Sequence, residues 1–387
     1  MLKQLGRHGA VWIWGLALLT LAGCSSQDTF EQPVPVPEII ESVELEAIWN
    51  MSVGEGHDGQ LMQLAPLVNG DTLYAAAEDG TVVAAKIETG KVLWWKYLDT
   101  SLLAGLGGDG DRLYMVTGNA ELVVLSTTDG SVLWEASLPN EVIASPRSNG
   151  QIVVVQTVDG NVLAFDVTTG DKRWQYDGVV PVLSLRASAA PLVGADMTLV
   201  SFSSGRLFAL STESGQPLWQ YSVGEPQGRT ELERLVDVTS EPLVLESAAM
   251  VTGYQGKLAL VDLRTGQEIW SRATSSLQSP AIAAGNIYVA QSNGHVVAYE
   301  GSNRREIWTQ DKLAWRQLTQ PVVLGDYLVV GDFEGYIHVM SLEDGQLMGQ
   351  LEFDDEGLWV PMQVVQDKFL VYGNSGKLSL FELNERD

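Results

Sequence analysis

The side chains in this chain best suited to acid–base, nucleophilic or metal chemistry are few, and their spacing argues against a catalytic centre. Beyond His8 near the N-terminus there are three histidines, His57, His295 and His338, separated by long stretches and unaccompanied by a second His or Cys at metal-ligand spacing. No HExxH, no Gly-rich phosphate loop and no GxSxG nucleophile elbow occurs. His338 falls within an alternating strand pattern, where a packed or solvated imidazole is expected. Asp166 and Asp262 share one slot of an internal repeat, but the other copies place Lys86, Ser126, Ser211, Glu300, Ser341 and Glu382 there. A slot that changes charge from copy to copy points to turn or strand-end stabilisation. The single cysteine, Cys24, follows an apolar run at the N-terminus and has no second cysteine to pair with.

The elements that would carry any site are set by that repeat. A glycine is followed fourteen residues later by a tryptophan in Gly80/Trp94, Gly160/Trp174, Gly205/Trp219, Gly256/Trp270 and Gly294/Trp308, with Ala120/Trp134 as a variant. Two further copies start at Gly335 and Gly376; the first has Gly349 at the Trp position and the second ends before reaching it. Within each copy apolar residues alternate at period 2, as in KLALVDL (257–263), the pattern of a half-buried strand. Each strand pair is divided by a turn glycine at 90, 130, 170, 215, 266 or 345. Two more strand-like runs precede each copy, for example PVVLGDYLVVG (321–331). Four strands per repeat at a period near 40 predict an all-β, eight-bladed β-propeller of four-stranded antiparallel blades. Each Trp is expected to wedge between blades, where an indole buries on the order of 200 Å².

Ring closure follows from the ends. The eighth copy lacks its outer strand, while LEAIWNMSV (45–53) carries an Ile-Trp pair like those of the complete copies. The N-terminal strand is therefore expected to pair in the last blade, leaving no unfinished sheet edge at the seam.

Ahead of the propeller, Lys3 and Arg7 precede the apolar run AVWIWGLALLTLA (10–22), which is too short to span a bilayer and reads as a signal sequence. The Leu21-Ala22-Gly23-Cys24 that ends it resembles the bacterial lipoprotein box, which implies a lipoprotein signal peptide at 1–23 and a lipidated Cys24 with a flexible Pro-rich tether over 24–44, ahead of the propeller over 45–387. Cleavage would remove two of the 23 basic residues and none of the 49 acidic ones, deepening a net charge of −26. Such a body repels nucleic acid and anionic lipid, and favours partners with basic patches.

Function on a repeat scaffold tends to sit where the period is broken. Two adjacent intervals, from 160 to 205 and from 205 to 256, exceed the rest, and their extra residues fall after Trp174 and after Trp219. Both lie in outer-to-inner strand connections, which emerge on one face of a propeller. The first contains PVLSLR (181–186) and the second GEPQGRTELERLVDVTSEP (224–242). Leu183, Leu185, Arg186, Arg234 and Leu235 mix Leu with Arg at a rim, a composition suited to interface anchors. Alternatively, Leu183 and Leu185 simply begin the inner strand of the fourth blade.

The ALDxxTGxxxW-type repeat text resembles that of quinoprotein dehydrogenases, which are also eight-bladed. That resemblance implies a redox alternative dependent on a vicinal cysteine pair, which a chain with one cysteine does not have. Taken together, the Leu21-Ala22-Gly23-Cys24 lipobox, the Pro-rich tether, the Trp-bearing blades, PVLSLR followed by SAAPLV, and TELERLVDV resemble the BamB family. These are lipoproteins of the β-barrel assembly machinery in Gram-negative outer membranes. The resemblance implies a non-catalytic scaffold with no cofactor, lipid-anchored in the outer membrane and facing the periplasm; Ser25 after the cysteine suits that destination. It implies contact with the POTRA domains of a BamA-type insertase, with the other assembly-complex lipoproteins, and with unfolded outer-membrane protein clients. Leu183, Leu185 and Arg186 match the family's first binding segment, and Asp237 the second. Where the family often has another acidic residue, this chain has Thr239, which implies that the second segment either contributes less or uses Glu231 or Glu233 instead. The competing function is a periplasmic propeller binding a small molecule or glycan in its central channel.

Overall fold

Alternating Val, Leu, Ala and Ile make every third strand of the repeat almost wholly buried, as in Thr81–Lys86 and Asn161–Asp166. Such strands need cover on both faces, which only neighbouring sheets can supply. The computed structural model describes residues 31–57, 59, 62–181, 183–185 and 188–386. The expected signal peptide, Cys24 and Arg186 lie outside the described residues. Residues 31–33 belong to a separate unit from 34–387 and carry no regular secondary structure.

Eight four-stranded antiparallel sheets are present, each built from strands consecutive in sequence except the last. The first blade comprises Leu67–Asn69, Thr72–Ala76, Thr81–Lys86 and Val92–Tyr97. The eighth combines Gln363–Val365, Lys368–Tyr372 and Lys377–Glu385 with the N-terminal strand Val43–Ser52, which pairs antiparallel with Lys377–Glu385. The expected all-β propeller and its N-terminal closure are both present.

The tryptophans share one local device. In the outer strand of each blade the register slips by one residue immediately before the Trp position, at Arg173 in the third blade and at Ile48 in the closing strand. A bulge of this kind re-aims the side chain that follows it. It sends the indole toward the next blade, where its N–H donates to a backbone carbonyl: Trp49 to Ile87 at 2.8 Å, Trp94 to Thr127 at 2.9 Å, Trp174 to Thr212 at 2.8 Å and Trp308 to Leu342 at 3.0 Å. The ring rests against the hairpin glycine of that blade. Gly90 has φ +65°, and a Cβ there would sit 2.8 Å from the Trp49 ring. The hairpin glycine thus serves both the turn conformation and the indole contact. In the sixth blade Arg304 takes this place at φ +61°, its guanidinium 5.6 Å from the Trp270 ring centroid.

Closure also accounts for the missing seventh tryptophan. A Cβ on Gly349 would lie 2.5 Å from the Val43 carbonyl oxygen, so the entering N-terminal chain occupies the space an indole would need. The closing strand begins at Val43 rather than 45, and the chain before it also lies along the propeller. The Ser42 N–H donates to the Met348 carbonyl at 2.8 Å, Ile39 packs on the core between the sixth and seventh blades, and Val34 is bonded at both its N–H and its carbonyl.

Candidate functional site

The two long connections lie on one face, with the second-to-third strand turns. The inner strand of the fourth blade is Leu192–Val193, so Leu183 and Leu185 precede it and stand in the connection itself. They are 42% and 37% exposed. Leu232, at the turn of the second connection, is 67% exposed, and Arg234 is exposed beside it. Leu235 and Asp237 are buried.

Two local interactions shape this rim. In the second connection, Glu233 Oε2 accepts from the backbone N–H groups of Arg229 and Thr230, while Thr230 Oγ1 accepts from the Glu233 N–H at 3.2 Å. This reciprocal Thr-x-x-Glu capping box tightens the 230–234 turn and presents Leu232 outward. Glu231 is exposed at the same turn. Deeper down, the backbone of Asp237 bridges to Tyr254 in the fifth blade, and its Oδ2 accepts from the Leu185 N–H at 3.2 Å. One carboxylate therefore ties the first connection to the second.

Asp237 is 1% exposed, and Oδ1 has no partner among the described residues. Burial pushes its carboxyl up to about 6, against the lowering effect of hydrogen bonds from the Leu185 and Val238 backbone. A carboxylate so enclosed acts by holding Leu185 in place. Thr239 donates its hydroxyl to the Leu277 carbonyl at 2.6 Å and so links the rim to the connection entering the sixth blade. Beside the rim runs a groove of about 470 Å³ between the third and fourth blades, lined by Tyr176, Val179, Phe202, Arg206, Phe208 and Pro226.

The residues singled out for chemistry are spent on structure. Asp166 accepts from the N–H groups of Thr168 and Thr169, and Asp262 from Thr265, each closing its hairpin. His57 is buried edge-on to Tyr372, and burial brings its imidazole down to about 4. His338 is buried with Nε2 2.8 Å from Asp332 Oδ2. Among the described residues no three His, Cys, Asp or Glu side chains converge as a metal set.

Sequence reasoning missed the partner of that last pair. Arg316, in the connection entering the seventh blade, is fully buried, with Nε 2.7 Å from Asp332 Oδ2 and Nη2 2.6 Å from Glu334 Oε2. Burial works against the Asp332 carboxylate, yet hydrogen bonds from His338 and Arg316 hold it below its ordinary value. The only signal in the sequence was a lone Arg within LAWRQLTQP (313–321), indistinguishable there from a solvated one. The Thr-x-x-Glu spacing at 230–233 is, in contrast, a sequence signal that could have disclosed the cap.

A family model described as outer membrane protein assembly factor BamB matches residues 46–104 and 96–310. A protein of that description from Marinobacter adhaerens is 64% identical over 375 residues, covering 96% of each chain. One from Pseudomonas aeruginosa is 45% identical, covering 97% of this chain and 99% of its own. The crystal structure of BamB from Moraxella catarrhalis superposes with a TM-score of 0.80 at 26% identity, over 88% of this chain and all of that one. A europium-containing methanol dehydrogenase superposes at 0.69 with 14% identity over 87% of this chain and 93% of its own, a likeness of fold alone.

Proposed function

We propose, from the premise that the chain belongs to the BamB family of outer membrane protein assembly factors, that it is a non-catalytic scaffold of the β-barrel assembly machinery. It sits at the outer membrane, facing the periplasm and held by lipid on Cys24. Its insertion-bearing face docks on the POTRA domains of a BamA-type insertase, beside the other lipoproteins of the complex. It thereby aids delivery of unfolded outer-membrane proteins. The observation that carries this reading is the rim at Leu183 and Leu185, two apolar side chains left partly in water while Asp237 fixes the backbone between the two connections. Apolar anchors on a preorganised backbone are what a protein interface needs, since little ordering remains to be done on binding. Arg186, Arg234 and Leu232 would flank that centre.

Capture of purified POTRA domains by the full-length protein tests the reading. Leu183→Ala combined with Leu185→Ala is expected to weaken capture by about tenfold or more, as central interface anchors do. Circular dichroism and melting should stay those of the parent. Undiminished capture would refute this rim as the docking site.

A further inference from the structure

The outer strand of the first blade, Val92–Tyr97, departs from the other outer strands. The residue after each inter-blade Trp points to the opposite side of its strand. In the second to sixth blades that slot holds Glu135, Gln175, Gln220, Ser271 and Thr309, but in the first it holds Trp95. Two residues on, the same blades have Ser137, Asp177, Ser222, Ala273 and Asp311, and the first has Tyr97. Trp95 is 69% exposed and Tyr97 57%, more than any other aromatic side chain among the described residues. Neither side chain belongs to the core cluster of its blade or has a hydrogen bond or ring contact among those residues. The fold does not require them, since blades with Gln and Ser in these slots form the same four-stranded sheet. The strand is also the one outer strand with a net positive charge: residues 91–97 carry Lys91 and Lys96 and no acid, in a chain of net charge −26. Neither lysine forms an ion pair among the described residues, whereas Lys86 beside them is taken by Asp71. Glu88 and Asp99 stand beyond the two ends of the strand.

We propose that this strand is a membrane-contact edge, which seats Trp95 and Tyr97 at the headgroup level of an anionic bilayer and sets Lys91 and Lys96 on its phosphates. The inference rests on the outer-membrane location proposed above and not on the rim. Rings with an apolar body and a polar tip suit the boundary between lipid and water. The long lysine stems reach past the edge from either side of the strand. A bilayer requires no matching shape, and outer strands lie on the convex circumference of the ring; a protein partner would anchor such rings in desolvated pockets. Lysines on an edge strand also oppose the addition of a partner strand while they attract anionic headgroups. The acidic body does not prevent the approach, because at physiological salt the Debye length is about 8 Å and acids farther away are screened. The first blade stands three and four places round the ring from the fourth and fifth, so a bilayer here and a partner at Leu183 and Leu185 do not compete.

Hydroxyl-radical footprinting of the full-length protein, on vesicles of phosphatidylethanolamine and phosphatidylglycerol and in non-ionic detergent, provides the test. Oxidation of Trp95 and Tyr97 should slow by about fivefold on the vesicles, as rings withdrawn from water do. Trp315, 38% exposed in the connection entering the seventh blade, should react alike in both. Lys91→Gln combined with Lys96→Gln removes about fivefold in contact per lysine and should return both rings to near the detergent rate. Trp95→Gln combined with Tyr97→Ser reproduces the Gln220 and Ser222 of the fourth blade, so it should fold as the parent does. In that variant the slower amide exchange of 91–97 on vesicles should disappear. Equal oxidation on vesicles and in detergent overturns the proposal, and so does equal shielding of Trp315. Protection kept in full by the lysine variant overturns the pairing with anionic headgroups. Protection that appears only on adding purified POTRA domains gives the strand to a protein partner instead. Flotation is scored alongside: a parent that does not float removes the outer-membrane reading and this inference together, whereas one that floats with both rings unprotected removes the inference alone.

Discussion

The connection entering the fourth blade and the connection entering the seventh occupy the same slot of the repeat and use it in opposite ways. At 178–191 the chain is long and its leucines remain partly in water, and the carboxylate beneath them, Asp237 of the neighbouring connection, is buried with a raised pKa and, among the described residues, no partner for Oδ1. At 311–321 the chain is short, and its buried arginine is bonded by two carboxylates and a backbone carbonyl. One slot presents a surface, and the other holds the chain at Val34. The propeller repeat thus specifies where a connection emerges and leaves its task to local sequence. Among the described residues, burial with partial compensation marks the presenting slot, and burial with full compensation marks the locking one.

Substitutions sharpen this contrast, beginning at the locked slot. Arg316→Met alone should lower stability by about 3–5 kcal/mol, because it strands the Asp332 carboxylate in the interior. Denaturant unfolding would register this as a lower midpoint at an unchanged slope. If the loss matched that of an exposed arginine, the lock would be no lock.

At the presenting slot the effect should be smaller, and it should depend on pH. Asp237 binds its proton more tightly in the folded state, at about 6 against an ordinary 3.8. The folded protein therefore holds more protons between those values, and this group's contribution falls as pH rises through that window. Asp237→Asn has no such slope, so its stability relative to the parent should climb by up to about 3 kcal/mol between pH 4 and pH 7. His57 works in the opposite sense, losing stability as pH falls from 6.5 toward about 4. Both proteins contain His57, so it cancels when the difference between two urea titrations is read. A difference that stayed flat with pH would mean that Asp237 carries no burial penalty.

The smallest effect is expected at the link between the rim and the sixth blade. Thr239→Val removes the bond to the Leu277 carbonyl and should cost about 1 kcal/mol, read from the same urea midpoints. A larger loss would mean that the presenting arc depends on this link as the seventh blade depends on Arg316.

Blade number, closure and the position of both long connections were legible because they depend on period and pattern, which a single sequence displays directly. The tryptophan slot was legible for the same reason, though the bulge that aims each indole was not, since register slips leave no residue signature of their own. The sequence left Leu183 and Leu185 open between strand start and anchor; with Leu192–Val193 as the inner strand, both precede it in the connection. Burial of Asp237 and Leu235 could not be read, because both sit in an irregular segment where no periodicity separates inside from outside. Arg316 and Val34 lie far apart in the sequence, and a contact of that kind is invisible without the fold that creates it.

The hold on Val34 also has a mechanical consequence. The closing strand is held to Lys377–Glu385 by a ladder whose first rung is Val43 opposite Glu385. Traction applied to the N-terminus and delivered at Val43 would open that ladder rung by rung, the geometry in which a sheet resists force least. Pinned at Val34, the chain passes such a load into the 311–321 connection and the arginine beneath it, and the seam of the ring is shielded from the pull.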